Sequence, residues 1–249
     1  LIGDGLAHVS FGGVAVAIVL GATAPLWYAL VFSMVAAIFI HEMQNRGMLT
    51  GDASIAIFLT GMLAFGLVVL RIWGGGITTD IEGYLFGNLL LIDDASLNLI
   101  VYITIFSLTT MYFIHSALLA TAIDPLAAQV QGIPVRGVGL LFSMITAAVV
   151  VSMVQLVGAL LVTALLVTPA ATAQLIANNF KACQIWTQIF GLSSVILGLF
   201  YSAELGTGTG SMIALVAFLI FALVAISKLT LVAISKLIVN YIVKNSQNH

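Results

Sequence analysis

The sequence predicts an all-α, polytopic membrane protein, with about eight transmembrane helices in one transmembrane domain covering residues 1–249. Three observations carry that reading. First, 62% of the residues are hydrophobic and 6% are charged, whereas a soluble domain averages about 45–50% and about 25%. Mean hydropathy is +1.23, which a water-exposed globular surface does not permit. Second, the apolar runs are long and unbroken, whereas the strands of an outer-membrane barrel alternate in polarity over about ten residues. Third, crossing a hydrocarbon core about 30 Å thick takes about 20 residues per helix, so this length holds roughly eight crossings and no second, soluble domain.

The runs separate at Gly, Pro and charge clusters. That predicts crossings over residues 1–21, 26–43, 54–72, 96–119, 139–154, 157–176, 183–202 and 212–228. The stretch 138–177 carries no charge and is too long for one crossing. Gln155 and Gly158 are where it is expected to double back, and Pro169 should bend its second half. The segment 73–94 contains GYLFGNLLLIDD, apolar but too short to span, and is expected to be re-entrant or interfacial. Between crossings, TAIDPLAAQVQGIPVR at 121–136 reads as a short, bounded helix. Asp124 suits the N-cap, Pro125 the first helical position and Gly132 the C-terminal stop, with Pro134 just beyond. An ordinary capped loop helix would read the same way. At the end of the chain, LVAISKL occurs at 223–229 and again at 231–237, a local duplication that lengthens a basic tail over 229–249. The chain opens on Leu1 rather than Met, and Asp4 and His8 do not suit the apolar core of a signal peptide. An N-terminal segment is therefore expected to be missing.

Lys and Arg favour the cytoplasmic side of a membrane. With Leu1 near the cytoplasm and eight alternating crossings, Arg46, Arg136, Lys181, Lys228, Lys236 and Lys244 all fall inside, which is six of the seven cations. Arg71 alone falls outside, at a helix end from which it can snorkel. The segment 121–136 and the tail are then cytoplasmic, and 73–94 is external.

Several classes of function fall away. A net charge of −2 leaves no basic surface for nucleic acid. One cysteine, Cys183, excludes a disulfide framework and a multi-thiolate metal site. GTGTGS at 206–211 lacks the Lys of a phosphate-binding loop. No phosphate-binding loop occurs elsewhere, so nucleotide hydrolysis by this chain is unsupported, and without a Ser/His/Asp spacing or HExxH so is proteolysis.

Ionisable side chains inside a crossing are costly and point to function. Asp4 and His8 stand four apart, stacked on one helix face about 6 Å from each other. Carboxylate plus imidazole suits Zn²⁺, Mn²⁺ and Fe²⁺. Two ligands leave a site incomplete, and a helix-orienting Asp–His hydrogen bond is the alternative. Gly13, Ala17 and Gly21 follow at intervals of four, small residues that let a second helix approach closely in lipid. His41 and Glu42 read as a solvated helix end, and His115 as a packing residue. Asp80 and Glu204 fall in external loops, where carboxylates can guide cations inward, although exposed carboxylates need no explanation.

The segment LIGDGLAHVSFGGVAVA resembles one usually written close to LIGDALSHAVLPGVALA in bacterial permeases for manganese, zinc and iron, the membrane subunits of metal-uptake ATP-binding-cassette transporters. The resemblance continues through GDASIAIFLTGMLAFGLV, IEGYLFGNLLLID, DPLAAQVQGIPV, VGALLVTALLVTPAATAQLI and TGTGSMIALV, in order and over essentially the whole chain. It implies a permease homodimer in a bacterial cytoplasmic membrane, or in a plastid membrane of bacterial descent. Partners would be a cytoplasmic ATP-binding subunit and an extracytoplasmic metal-binding protein. No cofactor would be tightly bound, the transported divalent ion being cargo. The resemblance places Asp4 and His8 on the metal path. It makes Asp124, Pro125, Leu126, Ala127, Ala128, Gln129, Val130, Gln131 and Gly132 the helix that docks into the ATPase. The sequence departs from the pattern at Gly5 for Ala, Ala7 for Ser, and Phe11-Gly12 for Leu-Pro. Loss of that Pro should straighten the helix locally. An ATPase-independent transporter or channel, or a truncated and non-functional copy, are the competing readings.

Overall fold

The computed structural model describes residues 2–22, 24–74 and 94–246, and its elements there are helices. These are α1 (Ile2–Val19), α2 (Pro25–Asn45), α3 (Gly51–Trp73), α4 (Asp94–Ile123), α5 (Pro125–Val130), α6 (Val135–Val157), α7 (Ala159–Ile176), α8 (Phe180–Leu205) and α9 (Thr209–Ser246). Seven of them are long and apolar enough to cross a membrane, and α7 contributes a shorter apolar helix over Leu161–Ile176. The all-α polytopic fold with about eight membrane helices is therefore the observed one. The segment expected to be re-entrant, with Asp80, lies outside the described residues between Gly74 and Asp94.

The helix boundaries follow local chemistry. Pro25 occupies the first turn of α2, where its missing N–H costs nothing. Thr50 caps α3 by accepting a bond from the Ala53 amide, and Asn179 caps α8 by accepting one from Ala182. The break between α6 and α7 falls on Gly158, held at φ +83° and ψ 157°, where a side chain would be strained. The sequence places the expected reversal at Gln155 and Gly158. The break takes a single residue, fewer than the two to five of an αα-hairpin loop, and Gln155 remains inside α6. Pro169 sits inside α7, which continues past it. GTGTGS is the turn between α8 and α9: Gly206 ends α8 in the left-handed region at φ 63°, and Thr209 begins α9.

The chain divides into two compact units, Leu1–Thr163 and Ala164–His249. In the first, α1 is the spindle. It packs on α2, α3 and α6, while α4 packs on α6. Leu6, Ala7 and Val9 of α1 meet Ala36 and Ala37 of α2 and Ala147, Val150 and Val154 of α6 in one buried cluster. Ser33 on α2 donates to the Leu6 carbonyl at 3.3 Å. A methyl built on Gly13 would lie 2.6 Å from the Tyr28 carbonyl oxygen and 2.8 Å from Ala29 Cα, so Gly13 lies at a close α1–α2 approach. Ala17 is fully buried. Gly21 corrects the expected stripe, because a methyl there would meet nothing within 4 Å. It ends α1 instead, at φ 63°. Its amide bonds the Ile18 carbonyl and the Ala22 amide bonds Ala17, the paired bonds of a Schellman turn.

A second close approach was not anticipated. Methyls on Gly5 and Gly12 would lie 2.6 Å from Ile55 Cγ2 and 2.8 Å from Met62 Cε, and one on Gly66 of α3 would meet the Phe11 ring at 2.8 Å. Three of the residues that depart from the family pattern, Gly5, Phe11 and Gly12, thus face α3. Gly13→Leu is expected to destabilise the protein by about 1–3 kcal/mol, because backbone rather than a flexible side chain blocks the space. Gly61→Leu is the control, since a methyl at Gly61 meets nothing within 4 Å. Thermal unfolding in detergent reads both, and equal Tm values would refute the close packing.

In the second unit, α8 packs on α9. Gly198 of α8 lies so near Ile213 that a methyl would sit 2.5 Å from its Cα. Lys228 of α9 donates to the Leu175 carbonyl in the last turn of α7, a favourable place for a cation. The region expected to be a tail continues α9 as helix to Ser246.

Candidate functional site

Asp4 and His8 lie on the part of α1 that its neighbours leave half open. Gly3, Gly5, Leu6, Ala7, Val9 and Ser10 around them are buried, while the Asp4 and His8 side chains retain 37% and 24% of their exposure. Helical spacing brings His8 Nδ1 to 3.5 Å from Asp4 Oδ1 and to 3.0 Å from the Asp4 carbonyl oxygen. A carbonyl only accepts, so that contact places the ring proton on Nδ1 and leaves the Nε2 lone pair free. An imidazole oriented by a carbonyl through one nitrogen offers the other as a ligand. Among the described residues no cluster of three or more His, Cys, Asp or Glu forms a fuller metal site. The arrangement provides one imidazole and one carboxylate on a single helix face.

The short helix α5 is built as its sequence suggests. Asp124 Oδ1 accepts from the Leu126 and Ala127 amides, both at 3.0 Å, and Pro125 opens the helix. Gly132, at φ +83°, closes it: its amide bonds Gln129, and the Ile133 amide bonds Ala128. Ala128 alone of the helix is buried. It is the point by which α5 sits on the bundle, α5 packing on α4 and α6. The rest faces outward, with Leu126 at 74% and Val130 at 90% exposure. The helix hides one alanine and displays its leucine and valine. Removing the cap with Asp124→Ala should cost about 1 kcal/mol of local stability. Faster proteolysis between Ile123 and Arg136 would report it, and an unchanged rate would speak against the cap.

The ends of α2 and α6 meet beside α5. Glu42 accepts from Arg46 Nε on Oε1 at 2.6 Å and from Arg136 Nη2 on Oε2. His41 Nε2 donates to the Arg136 carbonyl at 3.1 Å, and its ring fills the space over Gly139. Read from sequence as a solvated helix end, His41–Glu42 is partly exposed and is also an interhelical contact. Nothing local in the sequence distinguishes the two, because Arg136 is 94 residues away from Glu42. His115, expected to pack, lies on the exposed side of α4 with its Nδ1 3.1 Å from Ser116 Oγ. Glu204 is exposed near the end of α8.

The family model described as the ABC 3 transport family matches residues 1–228. The manganese import system permease protein ScaB of Streptococcus gordonii is 32% identical over 221 residues, 89% of this chain and 78% of that protein. The high-affinity zinc uptake system membrane protein ZnuB of Haemophilus influenzae is 30% identical over 219 residues, 88% of this chain and 83% of the other. Among solved structures, PsaBC from Streptococcus pneumoniae in complex with Fab superposes with a TM-score of 0.74 at 32% identity, covering 89% of this chain and 79% of that one.

Proposed function

We propose that this chain, which belongs to the ABC 3 transport family, is the membrane-spanning permease of an ATP-driven importer of a divalent transition-metal ion. The observation that carries the proposal is the Asp4–His8 pair, partly open on the membrane helix that protein encloses most. The relatives named for manganese and zinc support the same reading, and iron suits the ligand set equally. The permease sits in a bacterial cytoplasmic membrane. A cytoplasmic ATP-binding subunit docks on the exposed face of α5, and an extracytoplasmic binding protein delivers the metal. A second copy of the chain, related by a two-fold axis, would supply a second Asp4–His8 pair.

ATP binding draws the two ATP-binding subunits together, α5 carries the motion into the bundle, and access alternates between the two sides. Transport needs a site favourable enough to enter and weak enough to leave, which suits few ligands better than a closed cage.

The direct test is uptake of radiolabelled Mn²⁺ and Zn²⁺ by a transporter-deficient bacterium expressing the permease with its ATPase and binding protein. ATP-dependent uptake of one ion supports the proposal and identifies the cargo. A secondary transporter or channel would keep its uptake when residues 124–132 are deleted; the importer loses it.

A further inference from the structure

The contact between α2 and α6 is electrostatically unusual. Glu42 lies in the last turn of α2, where the helix dipole disfavours an anion, and Arg136 in the first turn of α6, where it disfavours a cation. Each charge stands at the wrong end of its own helix, and each is corrected by the other across the gap. The Arg46 bond to Glu42 lies within one helix and does not bridge. His41 adds the second bridge, to the backbone at Arg136, and Gly139 leaves room for its ring. With Arg136 at 68% exposure the ion pair adds little stability. What two bridges between the same helix ends fix is their relative position.

That position matters because of what lies on either side. From α5 only residues 131–134 intervene before α6 begins at Val135. On α2, Ser33 meets Leu6 while Tyr28 meets Gly13, so α1 and α2 run antiparallel and the Glu42 end of α2 lies at the Asp4 end of α1. The path from docking helix to metal pair is therefore α5, the first turn of α6, the last turn of α2, and α1. Resting on the importer reading above, we propose that the Glu42–Arg136 ion pair and the His41–Arg136 hydrogen bond form a strut that makes the ends of α2 and α6 move as one body when α5 is displaced. Glu42, Arg136 and His41 are then positioning residues for transport.

The test uses the permease and its ATPase in proteoliposomes with the binding protein, reading Mn²⁺ and Zn²⁺ uptake together with ATP hydrolysis. Glu42→Gln and Arg136→Gln should lower metal moved per ATP about tenfold while hydrolysis stays within about twofold, a loss of coupling rather than of the engine. Arg46→Gln should leave the ratio within about twofold of wild type. In a Cys183→Ser background, Glu42→Cys/Arg136→Cys should be uncoupled when reduced and recover transport when a short bis-methanethiosulfonate joins the two thiols. A covalent strut that restores coupling excludes a merely structural role.

Unchanged transport per ATP in Glu42→Gln overturns the strut, as does an equal loss in Arg46→Gln. A cross-linked pair that hydrolyses ATP without transporting overturns it too, since the contact would then have to open. A parallel loss of hydrolysis and uptake that the cross-link does not restore reduces the contact to packing. Wild-type protein that moves neither metal and shows no hydrolysis stimulated by binding protein defeats the importer reading, and the strut with it. Wild-type transport beside an unaffected Glu42→Gln defeats the strut alone.

Discussion

Asp4→Ala/His8→Ala is expected to abolish metal uptake while leaving the amount of permease in the membrane unchanged. Loss of an outer-shell partner alone typically costs about 10–100-fold in metal affinity, and on the importer reading proposed above this double change removes both candidate ligands on α1. Folding should survive because both side chains are partly exposed, and the bond between them spans a single turn of one helix. Single changes should separate the two roles. His8→Ala removes the Nε2 lone pair, whereas Asp4→Asn keeps shape and the backbone acceptor while discarding the charge. Uptake is measured with radiolabelled Mn²⁺ and Zn²⁺ against permease quantified in membranes. Full uptake in the double variant would return the pair to a helix-orienting role and move the ion path elsewhere.

The second large effect belongs to α5. Leu126→Asp/Val130→Asp places two carboxylates on a surface that is 74% and 90% exposed, where charge does not disturb the permease's own packing. At an interface core, an unpaired carboxylate keeps its desolvation cost and gains no partner. The ATP-binding subunit should therefore no longer co-purify with the variant, although its expression and Tm match wild type. Ala128→Asp should behave differently. Ala128 is buried against the bundle, so its replacement should lower Tm as well as docking. Retained ATPase with Leu126→Asp/Val130→Asp would mean that the partner docks elsewhere.

The sequence shows most clearly what one helix decides by itself. Asp124, Pro125 and Gly132 act within a few residues of one another, so α5 is readable to its caps. The same holds for the presence of the membrane helices, whose minimum length the bilayer sets, although α9 runs on as helix to Ser246, and for the i, i+4 geometry of Asp4 and His8. Pairwise facts were not readable. Gly13 and Gly21 share a spacing, yet one faces the α2 backbone and the other ends a helix; spacing alone does not say where a helix stops. Gly5 and Gly12 looked like departures from a family pattern until α3 was found beside them. Glu42 and Arg136 are ordinary interfacial charges until the fold lays α2 and α6 side by side. These contacts depend on which helices are neighbours, and that is decided by the whole bundle.

Membrane insertion tests each segment against lipid before its later neighbours exist. α1 is the second least apolar of the seven long helices and the one most enclosed by protein, with 56% of its span buried. It holds four glycines and Asp4, and an Asp costs up to about 2.5–3.5 kcal/mol if it must face a bilayer centre. Its solvent in the finished molecule is α2, α3 and α6 rather than lipid. Biogenesis should accordingly be out of order with the sequence: α1 waits at the translocon, weakly held, until α2 and α3 arrive to enclose it. Substitutions in α3 opposite Gly5 and Gly12 should then appear as failed insertion of α1, a defect in making the protein rather than in running it.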